Sequence, residues 1–501
     1  MKTIFDFAAK RAELSPDALA FHQFETEVKV SFAEFNRRAE QGASVLQNSG
    51  LDTGDRLAVL CHNTSVFFEL LFACGKIGAI LVPLNWRQTP TELTPILIDC
   101  GARMLLHDAS TAPLAHALAA STGVRLTSFA DFDDLLGKVR PVPRRDTAWP
   151  TDRIWYLLYT SGTTGRPKAV IQTVGMALAN ALNVQQATQL TSADRTLNFL
   201  PLFHTAGINL HTLPLFIAGG SSTVLAKFEV EPLLDLVAAD RISIFFGVPA
   251  VYQALSLNPG FAAADLSRVR HWGCGGAPLP ASLIHLYLAK GVRVCNGMGM
   301  TETGPTVFLM NPERAAEKIG SVGKPQLLSE VRLIDASGRD VEDGERGEIL
   351  FRGPNITPGY YNDPEATAAA ITPDGWLRSG DIARRDSEGY YYIVDRIKDM
   401  FISGGENVYP AEVEGVLCNH PAVLEAAVIG VADARWGEVG HAAVRLREAQ
   451  TLEAAELTAF ARRQLAAYKV PKYVTVLEDF PRTAAGKVQK HLLRRRLGEN
   501  G

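Results

Sequence analysis

Helical and strand-like segments alternate through the first third of the chain, and this alternation constrains the fold more than any other feature. Apolar runs such as RLAVLC at 56–61 and AILVPL at 79–84 are separated by segments with helical periodicity, for example SVFFELLFACGKIG at 65–78. Neighbouring strands that are joined through a helix pair in parallel. The sequence therefore predicts a parallel α/β sheet for this region.

The pattern changes twice further along the chain. A Pro- and Arg-rich stretch at 139–152 interrupts the alternation and predicts a connection without regular structure. From about Val331, short strands separated by turns predict a small antiparallel module. We therefore expect a large α/β N-terminal domain over 1–394, with parallel-rich sheets plus this module, and a small α+β C-terminal domain over 395–501. Pro410 suits the first turn of a helix in the small domain.

Composition narrows the class of protein. The net charge of −4 gives no reason to expect nucleic acid or an anionic membrane as a partner. The six cysteines form no C-x-x-C pair, so neither a zinc site nor a disulfide framework is indicated. We expect neither a signal peptide nor an integral membrane segment, because the N-terminal stretch lacks a long apolar run and the longest apolar run is interrupted by Lys76. We expect a cytoplasmic protein with reduced thiols.

The segment YTSGTTGRPKAV at 159–170 has the composition of a phosphate-binding loop. Two glycines allow its backbone N–H groups to turn inward, and four hydroxyls add donors around Lys168: the residues are Thr160, Ser161, Gly162, Thr163, Thr164 and Gly165. A Walker loop needs four residues between its glycines and a Ser or Thr after its Lys, whereas two residues and Ala169 stand here. The segment is therefore a phosphate loop of another kind, or a polar surface loop.

Six further motifs follow in a fixed order. They are PLFHTAG at 201–207, CGGAPLP at 274–280, NGMGMTETGP at 296–305, WLRSGD at 376–381, DRIKDMFISGGENVYPAEVE at 395–414 and PRTAAGK at 481–487. Together with the loop at 159–170 they resemble the adenylate-forming superfamily of acyl-CoA synthetases, firefly luciferase and carrier-protein adenylation domains. The resemblance covers nearly the whole chain, and it is strongest to bacterial feruloyl-CoA and fatty acyl-CoA synthetases.

The resemblance implies a two-step reaction with ATP, Mg²⁺ and CoA. A carboxylic acid and ATP give an acyl-AMP and pyrophosphate, and the CoA thiol then displaces AMP to give the acyl-CoA. The expected partners are these small molecules, with no nucleic acid, and a homodimer is left open.

The resemblance also implies roles for individual residues. The loop at 159–170 would hold the β and γ phosphates, Glu302 would hold Mg²⁺, and Thr301 would contact the α-phosphate. Asp381 would bind the ribose hydroxyls and Arg396 would add a charged contact to the nucleotide. Without the motifs, Glu302 would be read as an acid at a helix start, and Asp381 and Arg396 as surface ion-pair partners.

Further roles concern adenine, the acid and catalysis. Adenine would lie against Gly275, Gly276, Ala277 and Pro278, and near Met298, where relatives commonly have an aromatic residue. Lys487 would bridge the attacking carboxylate and the α-phosphate. His204 would separate the acid and CoA sites, although a core histidine is an equal alternative.

The small domain is implied to rotate. Asp395 occupies the hinge position of relatives, and the turn with Gly404 and Gly405 would approach the CoA tunnel after rotation. A simple strand-end cap is the alternative role of Asp395.

The resemblance also implies that four segments line the pocket for the acid, at 199–211, 245–252, 273–280 and 296–308. None of them contains Lys or Arg, which disfavours a dicarboxylate because its second charge would lack a partner. Asn209 or His211 could meet a ring hydroxyl, which favours a hydroxycinnamate over a fatty acid. A medium- or long-chain fatty acyl-CoA synthetase, an enzyme loading a carrier protein, and a non-catalytic nucleotide-binding protein are the alternatives.

Overall fold

A computed structural model describes residues 1–140, 148–160, 167–482 and 487–498. The strands of the first half of this part of the chain are β1 (Thr3–Phe5), β2 (Leu19–Gln23), β3 (Lys29–Ser31), β4 (Arg56–Leu60), β5 (Ile80–Pro83), β6 (Met104–His107), β7 (Arg125–Ser128), β8 (Ala148–Pro150), β9 (Ile154–Thr160), β10 (Lys168–Thr173), β11 (Arg195–Asn198) and β12 (Ser221–Val224). The remaining strands are β13 (Ile244–Gly247), β14 (His271–Cys274), β15 (Val294–Met298), β16 (Phe308–Leu309), β17 (Glu330–Ile334), β18 (Arg346–Arg352), β19 (Leu377–Arg385), β20 (Tyr391–Arg396), β21 (Phe401–Ser403), β22 (Glu406–Val408), β23 (Val423–Asp433), β24 (Gly437–Leu446) and β25 (Tyr473–Val476).

The α-helices alternate with these strands. They are α1 (Phe7–Leu14), α2 (Phe32–Asn48), α3 (Ser65–Ile77), α4 (Pro90–Cys100), α5 (Ala112–Thr122), α6 (Phe129–Leu136), α7 (Val174–Thr188), α8 (Thr212–Ala218), α9 (Val230–Ala238), α10 (Pro249–Leu257), α11 (Ala281–Ala289), α12 (Pro364–Ala370), α13 (Pro410–Leu417), α14 (Ala454–Arg462) and α15 (Lys490–Gly498). A π-helix at Ala206–Leu210 precedes α8, and a 3₁₀ turn occupies Thr301–Thr303.

Two large sheets form the first part of the molecule. One has the strand order β10-β9-β5-β4-β6-β7 and is parallel except for β10, as predicted from the alternation. The other has the order β16-β15-β14-β13-β11-β12-β2-β3 and is parallel from β15 to β2. Helix α3 contacts β5 and β9 of one sheet and β2 of the other. Its residues are buried on nearly every side because it packs between the two sheets, and its charged residues Glu69 and Lys76 are paired with Arg38 and Asp6.

Two smaller sheets complete the fold. The strands β17, β18, β19 and β20 form a four-stranded antiparallel sheet, which confirms the predicted module. The C-terminal part has a sheet of β22, β21, β24 and β23, with β25 parallel to β24. Helices α13 and α15 contact β23. Helix α13 begins at Pro410, as expected.

The connection predicted at 139–152 is wrong near its C-terminal end. The stretch 139–152 was expected to be a connection, but Ala148–Pro150 forms β8, which pairs antiparallel with β1. Residues 141–147 lie outside the described part. The ladder between β19 and β20 also runs across position 394, since Ile382 pairs with Asp395. The domain boundary at 394/395 stays a prediction.

No helix in the described ranges is both long and apolar enough to cross a bilayer. Five of the six cysteines are buried and Cys418 is half-buried, and all six are free thiols.

Candidate active site

The loop at 159–170 connects two antiparallel strands. Thr160 at the end of β9 pairs with Lys168 at the start of β10, and the Thr160 hydroxyl donates to the Lys168 carbonyl at 3.4 Å. The predicted phosphate-binding residues Ser161, Gly162, Thr163, Thr164 and Gly165 lie outside the described residues. Their roles stay predictions, and the structure fixes only the two ends of the loop.

Tyr360 contacts both Lys168 and Glu302. The segment before it runs beside β10, where the Ile171 N–H donates to the Gly359 carbonyl at 3.1 Å. The Lys168 ammonium lies 5.3 Å from the centre of the Tyr360 ring. The Tyr360 hydroxyl donates to the Glu302 carboxylate at 2.8 Å. One tyrosine therefore holds the predicted phosphate-binding lysine and the predicted metal ligand at the same place.

Glu302 is a buried carboxylate, with 7% of its surface exposed. It lies in the 3₁₀ turn that follows β15, together with Thr301. The Gln172 amide donates to the Thr301 carbonyl at 2.8 Å, which ties the turn to β10. Burial and the neighbouring Glu302 charge raise the pKa of Tyr360, so this tyrosine stays a neutral donor.

Asp381 and Arg396 are cross-strand partners in β19 and β20. Their side chains form an ion pair of 2.6 Å between Arg396 Nε and Asp381 Oδ1. Asp381 is buried, which raises the pKa of its carboxyl, while Arg396 and Lys487 oppose this shift. A carboxylate can accept several hydrogen bonds, so Asp381 suits the hydroxyls of a ribose. The half-exposed Arg396 guanidinium beside it suits a phosphate.

Lys487 lies at the same cleft. Its Cε would be 4.0 Å from a Cβ placed on Gly276. Part of the Lys487 side chain is exposed to solvent. The surrounding protein atoms remove water from its ammonium group, and this desolvation, followed by the charge of Arg396, lowers the pKa of Lys487. The carboxylates of Asp381 and Glu302 act in the opposite direction. The C-terminal segment thus carries a lysine to the two carboxylates of the first domain.

The glycine-rich turn after β14 lies under this lysine. Gly276 has φ +83°, a left-handed conformation that favours glycine. A Cβ on Gly275 would lie 2.8 Å from Cζ of Phe246. Ala277 and Pro278 continue the turn on its exposed side. Met298 lies at the end of β15 and packs against the antiparallel-sheet core together with Met300.

His204 is enclosed beside Phe203, with ring centres 4.8 Å apart. Its Nε2 is buried and has no hydrogen-bond partner among the described residues. Burial, followed by the charges of Lys487 and Arg87, lowers the pKa of His204 to about 4. A neutral imidazole next to Lys487 fits a gate between two substrate sites better than a general base.

Gly404 and Gly405 are not part of this cluster. They form the β21–β22 turn with φ +62° and +88°, and the Gly404 N–H donates to the Trp436 carbonyl at 2.9 Å. The structure therefore brings together Lys487, Glu302, Asp381, Arg396, His204, Lys168, Gly275 and Gly276. The prediction missed Tyr360, although TPGYYND at 357–363 places two tyrosines after a glycine turn.

Comparison with known proteins defines the class. Residues 8–361 match the model of the AMP-binding enzyme family, and residues 412–487 match that of the AMP-binding enzyme C-terminal domain. A feruloyl-CoA synthase from Amycolatopsis is 43% identical over 491 residues, covering 98% of both chains. A long-chain-fatty-acid–CoA ligase from Mycobacterium tuberculosis is 35% identical over 500 residues, covering 99% of this chain and 98% of the relative.

A solved structure agrees with these matches. The o-succinylbenzoate CoA synthetase from Bacillus subtilis, in complex with its acyl-adenylate intermediate, superposes with a TM-score of 0.90 at 32% identity and covers 99% of each chain. The chain belongs to the AMP-binding enzyme family.

Proposed function

We propose that this protein is an AMP-forming acid–CoA ligase whose acid is a hydroxycinnamate such as ferulate. The observation that carries the proposal is the convergence of Lys487, Glu302 and the Asp381–Arg396 pair at one cleft. Two carboxylates, a guanidinium and an ammonium group form the donor and acceptor set that a nucleoside triphosphate and an attacking carboxylate need.

Adenylation is the first step of the proposed reaction. An oxygen of the acid attacks the α-phosphorus of ATP, the bond to the pyrophosphate oxygen breaks, and acyl-AMP and pyrophosphate result. The Lys487 ammonium, beside the turn at Gly276, would stabilise the charge that builds between the acid and the α-phosphate. The Thr301 hydroxyl would donate to the same phosphate.

Thioester formation is the second step. The thiolate of CoA attacks the acyl carbon, and AMP leaves as its phosphate oxygen takes the electron pair of the broken bond. The neutral His204, enclosed beside Phe203, would act as a gate between the acid and the incoming thiol. Its displacement would open the path without moving a charge into an apolar site.

The donor set at Glu302 fits a magnesium ion that arrives with ATP. Mg²⁺ is usually held by one or two carboxylates plus substrate phosphates rather than by an all-protein cage. Glu302 supplies one buried carboxylate, and the described residues hold no cluster of three or more ligating His, Cys, Asp or Glu side chains. When bound, the ion neutralises charge on the phosphates. Glu302 would hold it, and Tyr360 would hold Glu302.

Nucleotide binding would use the remaining groups. Asp381 would accept from the ribose hydroxyls, and Arg396, which opposes the rise that burial causes in the Asp381 pKa, would contact the phosphate side. Gly276 leaves space for a flat base because no Cβ stands there. Met298 would pack against the base through its thioether.

A hydroxycinnamate is supported by two observations. The feruloyl-CoA synthase from Amycolatopsis is 43% identical to this chain over nearly its whole length. The four pocket segments carry no Lys or Arg that could pair with a second carboxylate. A fatty acid is the second candidate, because a long-chain-fatty-acid–CoA ligase matches over 99% of this chain.

We expect hydroxycinnamates to be activated at least about tenfold more efficiently, in kcat/KM, than malonate or succinate, because burying a second unpaired carboxylate is costly. Release of AMP with CoA should be measured for ferulate, 4-hydroxycinnamate, octanoate, palmitate, malonate and succinate. Equal kcat/KM for malonate would contradict the inference drawn from the four pocket segments without Lys or Arg. Higher kcat/KM for octanoate or palmitate would favour the fatty acid alternative, and transfer only to an added carrier protein would favour the carrier-loading alternative.

We further propose a cytoplasmic location, since the scattered buried thiols suit a reducing compartment. A homodimer stays a proposal that sedimentation of the purified chain would test.

A further inference from the structure

Two buried histidines behind the active site lack hydrogen-bond partners. His211 is 5% exposed and His271 is 2% exposed. Their ring centres lie 6.3 Å apart at an interplanar angle of 73°. None of the four ring nitrogens has a partner among the described residues. Unsatisfied buried polar groups are rare in folded proteins, so a pair of them calls for a ligand.

Strand β14 leads from the catalytic cleft to this pair. Side chains alternate along a strand, so His271, Gly273 and Gly275 lie on one face. The ring of Phe246, on the neighbouring strand β13, covers the two glycines, and a Cβ on Gly275 would lie 2.8 Å from its Cζ. The Phe246 ring therefore fills the space beside these two glycines, which lie between His271 and the turn at Gly276.

The π-helix leads to the same place from the other side of the site. It begins at Ala206, two residues after His204, and ends at Leu210, so that His211 is the next residue. The His211 ring lies 6.0 Å from the Phe246 ring, at an angle of 87°. Two segments that each start in the candidate active site thus lead to the two imidazoles, and Phe246 lies against both segments. Single π-helical turns inside helices often mark functional sites.

The pair is neutral. Burial, together with the neighbouring His271, lowers the pKa of His211 to about 3. Burial and the adjacent Arg270 lower the pKa of His271 to about 4. Arg270 itself is paired with Asp194 at 2.6 Å. Each neutral imidazole offers one N–H donor and one acceptor nitrogen, so the matching ligand group is an uncharged one that both donates and accepts.

We propose that His211 and His271 form the far end of the acid site and bind a phenolic hydroxyl of the substrate. This inference rests on the proposed ligase function. One imidazole nitrogen accepts the phenolic O–H, and an N–H of the other ring donates to the phenol oxygen or to a neighbouring methoxy oxygen. An acid that ends in hydrogen or a methyl group leaves these nitrogens unpaired, which lowers its binding.

The wild-type enzyme provides the first part of the test. Cinnamate, 4-hydroxycinnamate, 4-methoxycinnamate and ferulate should be compared in CoA-dependent AMP release. We expect kcat/KM for 4-hydroxycinnamate to exceed that for cinnamate by about 10- to 100-fold, with 4-methoxycinnamate between them because it accepts but does not donate. Equal kcat/KM for all four acids would overturn the proposal while leaving the ligase function intact. No AMP release with any acid would instead contradict the ligase function.

Variants provide the second part. His211→Leu and His271→Leu should reduce kcat/KM for 4-hydroxycinnamate about tenfold or more, mainly through KM, and should change that for cinnamate less than about threefold. His211→Gln and His271→Asn keep one donor and one acceptor and should restore part of the preference. Ile244→Val is the matched control, because Ile244 is the apolar cross-strand neighbour of His271. It should leave the ratio between the two acids unchanged.

One result of the variant series would overturn the proposal. If the leucine variants lose activity with cinnamate and 4-hydroxycinnamate in parallel, while thermal unfolding shows that they are folded, the pair has a structural role and the proposal is wrong. If they do not fold, the wild-type acid series and the glutamine and asparagine variants decide the question.

Discussion

Single residues carry the phosphate end of the proposed site. Glu302 is one carboxylate rather than a cluster, and its position depends on Tyr360, which is 58 residues away in the sequence. Motif spacing predicted Glu302 because it lies within MTETGP, but no local pattern connects it to Tyr360. The link exists only because the segment 357–361 runs beside β10. Contacts made by the fold between distant segments are what the sequence could not predict.

Replacing Glu302 with Gln should raise the Mg²⁺ concentration for half-maximal activity about tenfold or more. The variant keeps the shape of the side chain but removes the anionic oxygen that a hard cation prefers. Initial rates of pyrophosphate release at varied Mg²⁺ and saturating ATP would measure the shift.

Tyr360→Phe is the matched control for this measurement. It removes the 2.8 Å hydrogen bond to Glu302 but keeps the ring next to the Lys168 ammonium. We expect a smaller shift, of about two- to fivefold, as for a lost hydrogen bond to a charged group that keeps its metal-binding oxygen. An unchanged Mg²⁺ dependence in Glu302→Gln would show that Glu302 is not the metal ligand.

At the scale of elements, periodicity predicted long segments well and short ones poorly. The strands β4 and β5 and the helix α3 lie where apolar runs and helical spacing place them. The pairing of β1 with β8 was missed because three residues cannot show a period, and because the paired residues Ile4 and Trp149 are 145 positions apart. Local patterns define an element, whereas its partner depends on the whole fold.

Asp395 connects two elements at the predicted hinge. It lies near the end of β20, and its carboxylate accepts from the Ala411 N–H at 2.8 Å, at the start of helix α13, and from its neighbour Arg396 at 2.7 Å. Burial raises the pKa of Asp395 to about 6, although Lys490 and the two backbone donors oppose the shift. The predicted strand-end cap and the predicted hinge are thus compatible at this residue.

This raised pKa predicts a pH dependence of stability. The folded protein binds the Asp395 proton more tightly than the unfolded chain, so stability should rise as the pH falls through about 6 and level off near 4. This difference between the folded and unfolded pKa of Asp395 corresponds to about 3 kcal/mol in the free energy of unfolding. The difference in free energy of unfolding between the wild type and Asp395→Asn, measured from pH 7.5 to 4, should change in this direction.

Asp335→Asn is the control with the opposite sign. Asp335 is a surface carboxylate whose pKa is lowered to about 2, mainly by the Ser337 hydroxyl, so its contribution should be lost rather than gained as the pH falls. A pH profile that is the same in the wild type and in Asp395→Asn would contradict the assignment of a raised pKa to Asp395.

The arrangement of the whole molecule suits the first half-reaction of the proposed function. Lys487, carried by the C-terminal segment, lies at Gly276 and is influenced by Asp381 and Glu302, whereas the turn at Gly404 packs against Trp436. In the proposed reaction, thioester formation would need room for the pantetheine arm on the side of the cleft where Lys487 lies. One static arrangement serves both steps poorly, which is the physical reason to expect a rotation of the C-terminal domain about Asp395.

Separate assays of the two half-reactions would test this rotation. Lys487→Ala should lose acyl-AMP formation by about 100-fold or more but convert supplied acyl-AMP to thioester at a rate within about threefold of the wild type, because the lysine acts only on the phosphate. Asp395→Pro should show the reverse, since a fixed φ restricts rotation at this position. Asp395→Ala is its control, as it loses the carboxylate but keeps a free φ, and it should retain thioester formation. If single-turnover rates show that both steps fall equally in Lys487→Ala and Asp395→Pro, two distinct poses are not required, and the arrangement seen here must serve both reactions.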